Sequence, residues 1–206
     1  MNEYVIFTDS CCDIKPGLLE QWGVPYANMT FTFDGEGKEY INADITNKEF
    51  YDRMRKGASA KTAAINADSF ACAFEPILQE GKDILYIAFS SGLSTTVNSA
   101  HMAAEELKEK YPDRKIAIVD TLAASAGGGL MVYMAVAKKN EGASLEENAA
   151  YIASLIPQHC IWFTVDDLEY LKRGGRISAT TALMGSMLQI KPVLHCDDAG
   201  KLVNVS

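Results

Sequence analysis

Histidine is scarce in this chain: His101, His159 and His195 are the only three in 206 residues. No two of them, and no two cysteines, have the spacing of a metal-binding pair. Neither a resident metal nor a cofactor is therefore expected. The five cysteines are Cys11, Cys12, Cys72, Cys160 and Cys196, an odd number. Adjacent Cys11 and Cys12 could not bridge without strain, and the set reads as reduced thiols in a cytoplasmic protein. Basic residues are too few for a general nucleic-acid binder: 19 Lys and Arg face 27 Asp and Glu, a net charge of −8. That balance, with no helix-turn-helix signal, also argues against a transcriptional regulator. No apolar run approaches the roughly 18 residues of a membrane span. Residues 1–8 lack the basic stretch and long apolar run of a signal peptide. Gly127-Gly128-Gly129 has neither a P-loop lysine nor the dinucleotide-binding spacing, and reads as close helix–strand packing.

What is present is enough apolar sequence for a core, 48% of residues. Short apolar runs alternate with helical stretches. Residues 4–7, 83–89 and 115–119 read as buried strands. Helices are expected at 16–22, from Thr46 to Lys56, at 67–79, from the serine-rich turn to 110, at 125–139 and from Ser144 to 156. Thr46-Asn47-Lys48-Glu49 and Ser144-Leu145-Glu146-Glu147 have the form of capping boxes. Residues 24–33 are β-rich and lead through Asp34-Gly35-Glu36-Gly37 to another short strand. Thr62 falls in a loop. The alternation predicts an α/β fold with a Rossmann-like parallel sheet. After Pro157 the texture changes: strands are expected at 160–165, 192–196 and 202–205, and helices at 166–173 and 182–188. The expected division is an N-terminal α/β domain over 1–157 and the start of a second, incomplete α/β domain over 158–206.

Ligands of parallel sheets bind beyond the carboxyl ends of the strands. Here those ends carry Thr8-Asp9-Ser10, Ser90-Ser91-Gly92-Leu93-Ser94 and Asp120-Thr121, an edge rich in hydroxyls. The turn 90–96 opens a helix, where free amides and the helix dipole favour an anion. Ser91 and Ser94 add hydroxyls, and Gly92 allows close approach to the backbone. An ordinary Ser/Thr cap would look the same. Asp9 repels an anion, so it reads as a clamp on loop amides and hydroxyls, or as a plain Asx turn. Lys172 and Arg173 suit a helix C-terminus. Arg176, beyond Gly174-Gly175, is better placed to pair a carboxylate or phosphate. Asp120, Asp166 and Asp167 form only a weak metal signal.

Taken in order, Thr8-Asp9-Ser10 with Asp13, Ser90 to Ser94, Asp120-Thr121, Leu171-Lys172-Arg173-Gly174-Gly175-Arg176-Ile177-Ser178 and the stretch 185–194 with Ile190-Lys191-Pro192 resemble the DegV family of bacterial fatty-acid-binding proteins. The resemblance implies a long-chain fatty acid bound rather than turned over, with no catalytic residue. Thr62 and Ser94 would bond its carboxylate, Arg176 would line the head-group site, and Thr8, Ser10, Ser91 and Gly92 would surround it. The resemblance also implies a partner, the ATP-binding subunit of a fatty acid kinase, to which the carboxylate is presented. Each buried methylene contributes about 0.8 kcal/mol, so a sixteen-carbon tail offers roughly 10 kcal/mol of gross burial. Phe31, Phe33, Ile65, Leu93, Met184, Met187 and Leu188 are candidates for its channel.

The chain departs from the family pattern in three places. Thr62 is followed by Ala63-Ala64-Ile65 in place of Ser-Gln-Pro. Ser94-Thr95-Thr96 replaces Ser-Gly-Thr. A late histidine beside the carboxylate has no counterpart here. Two alternatives follow from the same residues: a binder of another small anionic, phosphorylated metabolite, and an acyl hydrolase with Ser94 as nucleophile, which lacks Gly-x-Ser-x-Gly and a placed histidine.

Overall fold

The computed structural model describes residues 3–178 and 191–205. The expected helix at 182–188, with Met184, Met187 and Leu188, lies outside the described residues. The centre of the fold is a four-stranded sheet in the order β2-β1-β6-β7, formed by β1 (Tyr4–Asp9), β2 (Tyr26–Ala27), β6 (Asp83–Ala88) and β7 (Ile116–Asp120). Every pairing in it is parallel.

β6 shows why helices cover both faces of this sheet. All six of its residues are buried. Side chains alternate between faces along a strand, and here the alternation sorts them into two cores. Leu85 and Ile87 pack with Leu19 of α1 (Pro16–Gln21), Met131 and Val132 of α5 (Ala126–Asn140) and Ile152 of α6 (Leu145–Leu155). Ile84, Tyr86 and Ala88 pack with Phe70 and Phe74 of α3 (Ala67–Gln79) and Val97 and Ala100 of α4 (Thr96–Lys110). A strand buried on both faces reads as a continuous apolar run, the signal that marked it.

Local capping sets the helix starts. Ser144 and Glu147 form the full reciprocal capping box of α6. At α2 (Asn47–Arg55) only half of the expected box forms: the Thr46 hydroxyl accepts from the Glu49 amide, while the Glu49 carboxylate makes no return bond. Gly129 is needed for packing, since a Cβ there would lie 2.6 Å from the Cys12 carbonyl oxygen. This is the close packing expected of the glycine triplet, made against the turn after β1.

Thr62 is not in a loop. It lies in β5 (Ala60–Ala63), which pairs antiparallel with β3 (Thr30–Phe33), and β4 (Glu39–Tyr40) flanks β3 on its other side. The β5 residues Ala-Lys-Thr-Ala carry no apolar alternation, because the strand is held by its backbone ladder to β3. This sheet packs with α2 around Phe31, Phe33 and Ile45. Beyond residue 157, β8 (Trp162–Phe163), β9 (Leu194–Cys196) and β10 (Leu202–Asn204) form an antiparallel sheet, with α7 (Glu169–Arg173) beside it. β8 is shorter than the expected 160–165, since only Trp162 and Phe163 find partners, on His195 and Leu194.

Two interactions hold the carboxyl edge of the parallel sheet. Asp9, almost wholly buried, accepts from the Tyr86 hydroxyl at 2.6 Å and from the amides of Phe89 and Cys11, each at 3.0 Å. Ser90 donates its hydroxyl to the Gly200 carbonyl at 2.8 Å, joining the end of β6 to the turn before β10. Gly92 lies against that same turn, and a Cβ there would sit 2.6 Å from the Gly200 carbonyl carbon.

Two expected outcomes follow. Burial holds the Asp9 carboxyl above the usual carboxylate range, against the lowering effect of its hydrogen bonds. The folded state therefore binds this proton more tightly than the unfolded chain, and stability from this group falls as pH rises through the window between the two pKa values. In thermal melts between about pH 4 and 8, the Tm of Asp9→Asn relative to wild type should rise with pH across that window. A difference that is flat or falls would show that Asp9 is not held in this way. Gly92→Val should clash with the 199–200 backbone, cost about 1–3 kcal/mol and open the 197–200 turn to limited proteolysis.

Candidate functional site

A cavity of about 780 Å³ opens between the carboxyl edge of the parallel sheet and the β8–β10 sheet. Its size falls within the usual range of ligand pockets, roughly 300–1,000 Å³. Met29, Leu93, Leu130, Ile161, Phe163 and Val165 give it an apolar wall. Tyr51, Leu130 and Trp162 also line it while remaining 55%, 48% and 59% exposed. Large apolar side chains left this open at a concave site mark a surface that something else covers.

Polar groups are few. Thr62 and Arg176, far apart in sequence, both line the cavity. The Thr62 side chain projects from β5, whose backbone is fixed by the pairing of Thr62 with Phe31. Arg176 is exposed, bonds the Gly174 carbonyl through one nitrogen and pairs with no carboxylate among the described residues. Lys172 and Arg173 behave as helix-end cations: Lys172 pairs with Glu169 at 3.0 Å, and Arg173 lies over the Tyr170 ring. Burial first, and then Asp9, push the Cys11 thiol up. Cys11 therefore lines the wall as a neutral thiol rather than a nucleophile.

Ser94 is half-buried and, unlike its neighbour Leu93, is not among the residues that line the cavity. Its hydroxyl lies 2.9 Å from that of Thr96 and accepts from the Thr96 amide at 3.2 Å. Thr96 is no base, so this contact does not activate Ser94 as a nucleophile. The turn differs from the expected ring of free amides. The amides of Phe89 and Ser91 are taken by Asp9 and Asp120, that of Ser90 by the Ala123 carbonyl, and those of Gly92, Leu93 and Ser94 by Ser90. The physical reason is proximity: aspartates on the adjacent strands, the Ala123 carbonyl and Ser90 itself reach those donors first. Thr95, where the family pattern has glycine, has φ −78° and ψ 1°, a conformation open to any residue. That departure therefore costs nothing in backbone strain.

The remaining expected residues are placed as follows. Thr8 is buried and donates to the Ile87 carbonyl, and the Ser10 hydroxyl accepts from the Met29 amide. The Ser91 amide meets Asp120. The close approach that Gly92 permits is made by the chain's own Ala199–Gly200 backbone. None of these four lines the cavity. Of the channel candidates, Leu93 does, whereas Phe33 and Ile65 are core, and Phe31 packs in the β3–β5 sheet. The three aspartates with a weak metal signal have other work. Asp120 holds the Ser91 and Leu122 amides, Asp166 pairs with Lys191, and Asp167 accepts from the Glu169 amide.

Sequence reasoning missed Tyr51, Leu130, His159 and Trp162. Leu130 lies in a stretch of α5 rich in apolar residues on every side, so its exposure left no trace in the pattern. His159 bonds the Gly127 carbonyl at 3.1 Å. Trp162 lies in the continuous apolar run Ile161-Trp162-Phe163, which signals a strand but not which side chain stays open.

Comparison with known proteins agrees with this architecture. Residues 3–206 match the family model described as uncharacterised protein, DegV family. A DegV domain-containing protein of Clostridium perfringens is 44% identical over 99% of this chain and 70% of its own length. Among solved structures, a DegV family protein from Thermus thermophilus described by its fatty acid binding superimposes with a TM-score of 0.86 at 33% identity, over 100% of this chain and 71% of its own. A stearic acid-binding protein from Eubacterium ventriosum superimposes with a TM-score of 0.90 at 30% identity, over 98% and 70%. The ordered motifs, the parallel sheet and these likenesses agree, and the chain belongs to the DegV family.

Proposed function

We propose that this protein binds a long-chain fatty acid, with the tail in the apolar cavity and the carboxylate at its polar rim. The observation that carries the reading is the cavity itself: about 780 Å³, apolar over most of its wall, its lining including the Thr62 hydroxyl and the Arg176 guanidinium, which pairs with no carboxylate among the described residues. Burial of the tail supplies most of the affinity, roughly 10 kcal/mol gross for sixteen carbons. The head group then needs orientation and partial neutralisation, which Thr62, Ser94 and Arg176 provide in this reading. Thr8, Ser10, Ser91 and Gly92 act from behind, by fixing the loops that carry the site. The two related proteins of known structure described as binding fatty acid support the same class of ligand.

In this reading the protein is a carrier and not an enzyme. It presents the carboxylate to the ATP-binding subunit of a fatty acid kinase in the cytoplasm. In this reading the chain divides near Pro157, and described residues beyond it supply the second wall of the cleft. Among the described residues no helix is long and apolar enough to cross a membrane. A compact phosphorylated metabolite would leave the apolar wall wet, which disfavours that alternative.

Lipid extracted from natively purified protein should contain a long-chain fatty acid by mass spectrometry. Absence of any such lipid, together with no binding of added palmitate or oleate, would sink the reading. Arg176 is exposed, so its ion pair with a carboxylate is worth no more than about 1 kcal/mol. Arg176→Ala should therefore weaken palmitate binding by less than about fivefold and flatten its dependence on salt. An unchanged salt dependence would remove Arg176 from the head-group site.

A further inference from the structure

We infer that Thr96 is a positioning residue that fixes the Ser94 hydroxyl as a hydrogen-bond donor, and so makes the site prefer a carboxylate over a neutral head group. The proposal rests on the fatty-acid reading and adds a residue and a selectivity to it. Its basis is a short chain of hydrogen bonds. The Ile65 amide, just past β5, donates to the Thr96 hydroxyl oxygen at 3.3 Å. The Thr96 and Ser94 hydroxyl oxygens are 2.9 Å apart, and the Thr96 amide donates to Ser94 at 3.2 Å.

Either hydroxyl could donate across the 2.9 Å contact on distance alone. Burial decides between them. Thr96 is fully buried, whereas Ser94 is half-buried. If Ser94 donated, the Thr96 proton would be left without an acceptor in the interior, and an unmade buried hydrogen bond is costly. If Thr96 donates, each buried group in this short run of hydrogen bonds is satisfied. The proton left over is that of Ser94, the group with room to turn outward.

The consequence for the site is chemical. With the Thr96 amide and hydroxyl both directed at it, Ser94 has both lone pairs engaged and offers only its proton. Accepting two bonds also polarises that O–H and strengthens its donation. An ionised carboxylate is an acceptor only, so it fits a hydroxyl locked as donor. A fatty alcohol offers a weaker acceptor and an O–H that finds no acceptor on Ser94. The same chain ties the segment after Thr62 to the turn that carries Ser94.

Delipidated protein can be titrated with palmitate and with 1-hexadecanol by calorimetry or a displaced fluorescent lipid. Thr96→Val should raise the palmitate Kd about tenfold and leave that of hexadecanol within about twofold, while Thr96→Ser should restore palmitate binding. In a Ser94→Ala background, Thr96→Val should have no further effect on palmitate. If the valine variant does not fold, Thr96→Ala makes the same comparison. An unchanged palmitate Kd, equal losses for both ligands, or no recovery in Thr96→Ser would overturn the assignment. Wild-type protein that binds neither ligand would instead defeat the fatty-acid reading beneath it.

Discussion

The carboxyl edge of this fold depends on a single buried carboxylate. Asp9 reaches from the end of β1 to the Tyr86 hydroxyl within β6, to the Phe89 amide where β6 ends, and to the Cys11 amide in its own turn. Burial disfavours the charge of this group, and three donors offset part of that cost. Moving Phe89 would break a bond that burial makes costly to lose. The position of Phe89 determines where the turn 90–96 starts, and with it Ser94 and the start of α4. Asp120 repeats the device from the other side of β6, at the end of β7, taking the amides of Ser91 and Leu122. The acidic residues on this edge are therefore structural, and the edge can still face an anion because their charge is spent inward on amides and hydroxyls.

The cavity divides its labour unevenly. Apolar walls can supply roughly 10 kcal/mol of gross burial for a long tail, whereas a hydroxyl bond to a charged head group contributes only about 1.5–3 kcal/mol. In the proposed reading, affinity and recognition would come from different residues: the wall could vary in detail, but the few polar groups at the rim would need accurate placement. The hydrogen bonding on Thr96, Ser90, Asp9 and Asp120 lies behind that rim rather than in the cavity itself.

Legibility differed between elements for physical reasons. β6 and the boundaries of α3 were plain, because a strand buried on both faces is a continuous apolar run and α3 is preceded by an Asn cap at residue 66. The Ser144–Glu147 box was equally plain, since both of its bonds are local. β5 was not legible. Its sequence lacks alternation, and its partner β3 lies across α2 in the chain. At Gly92 the residue type pointed to close approach of a ligand to the backbone, whereas the atoms that approach are those of Ala199 and Gly200, more than a hundred residues away. The turn 90–96 looked rich in free amides, and only the neighbouring strands reveal that Asp9, Asp120 and Ala123 have taken several of them.

The sequence by itself determined the α/β class, the strand ends that meet at one edge, the cap of α6, and the family, because each of these is written in local pattern or in an ordered set of motifs. Tertiary structure alone decided which of the many hydroxyls remain available, that Thr62 sits on a strand, and that Thr62, Leu93, Trp162 and Arg176 line one cavity. The reason is that a hydroxyl or an amide is a donor in search of a partner. Sequence gives its position along the chain, but the partner is supplied by whatever folding brings within about 3 Å.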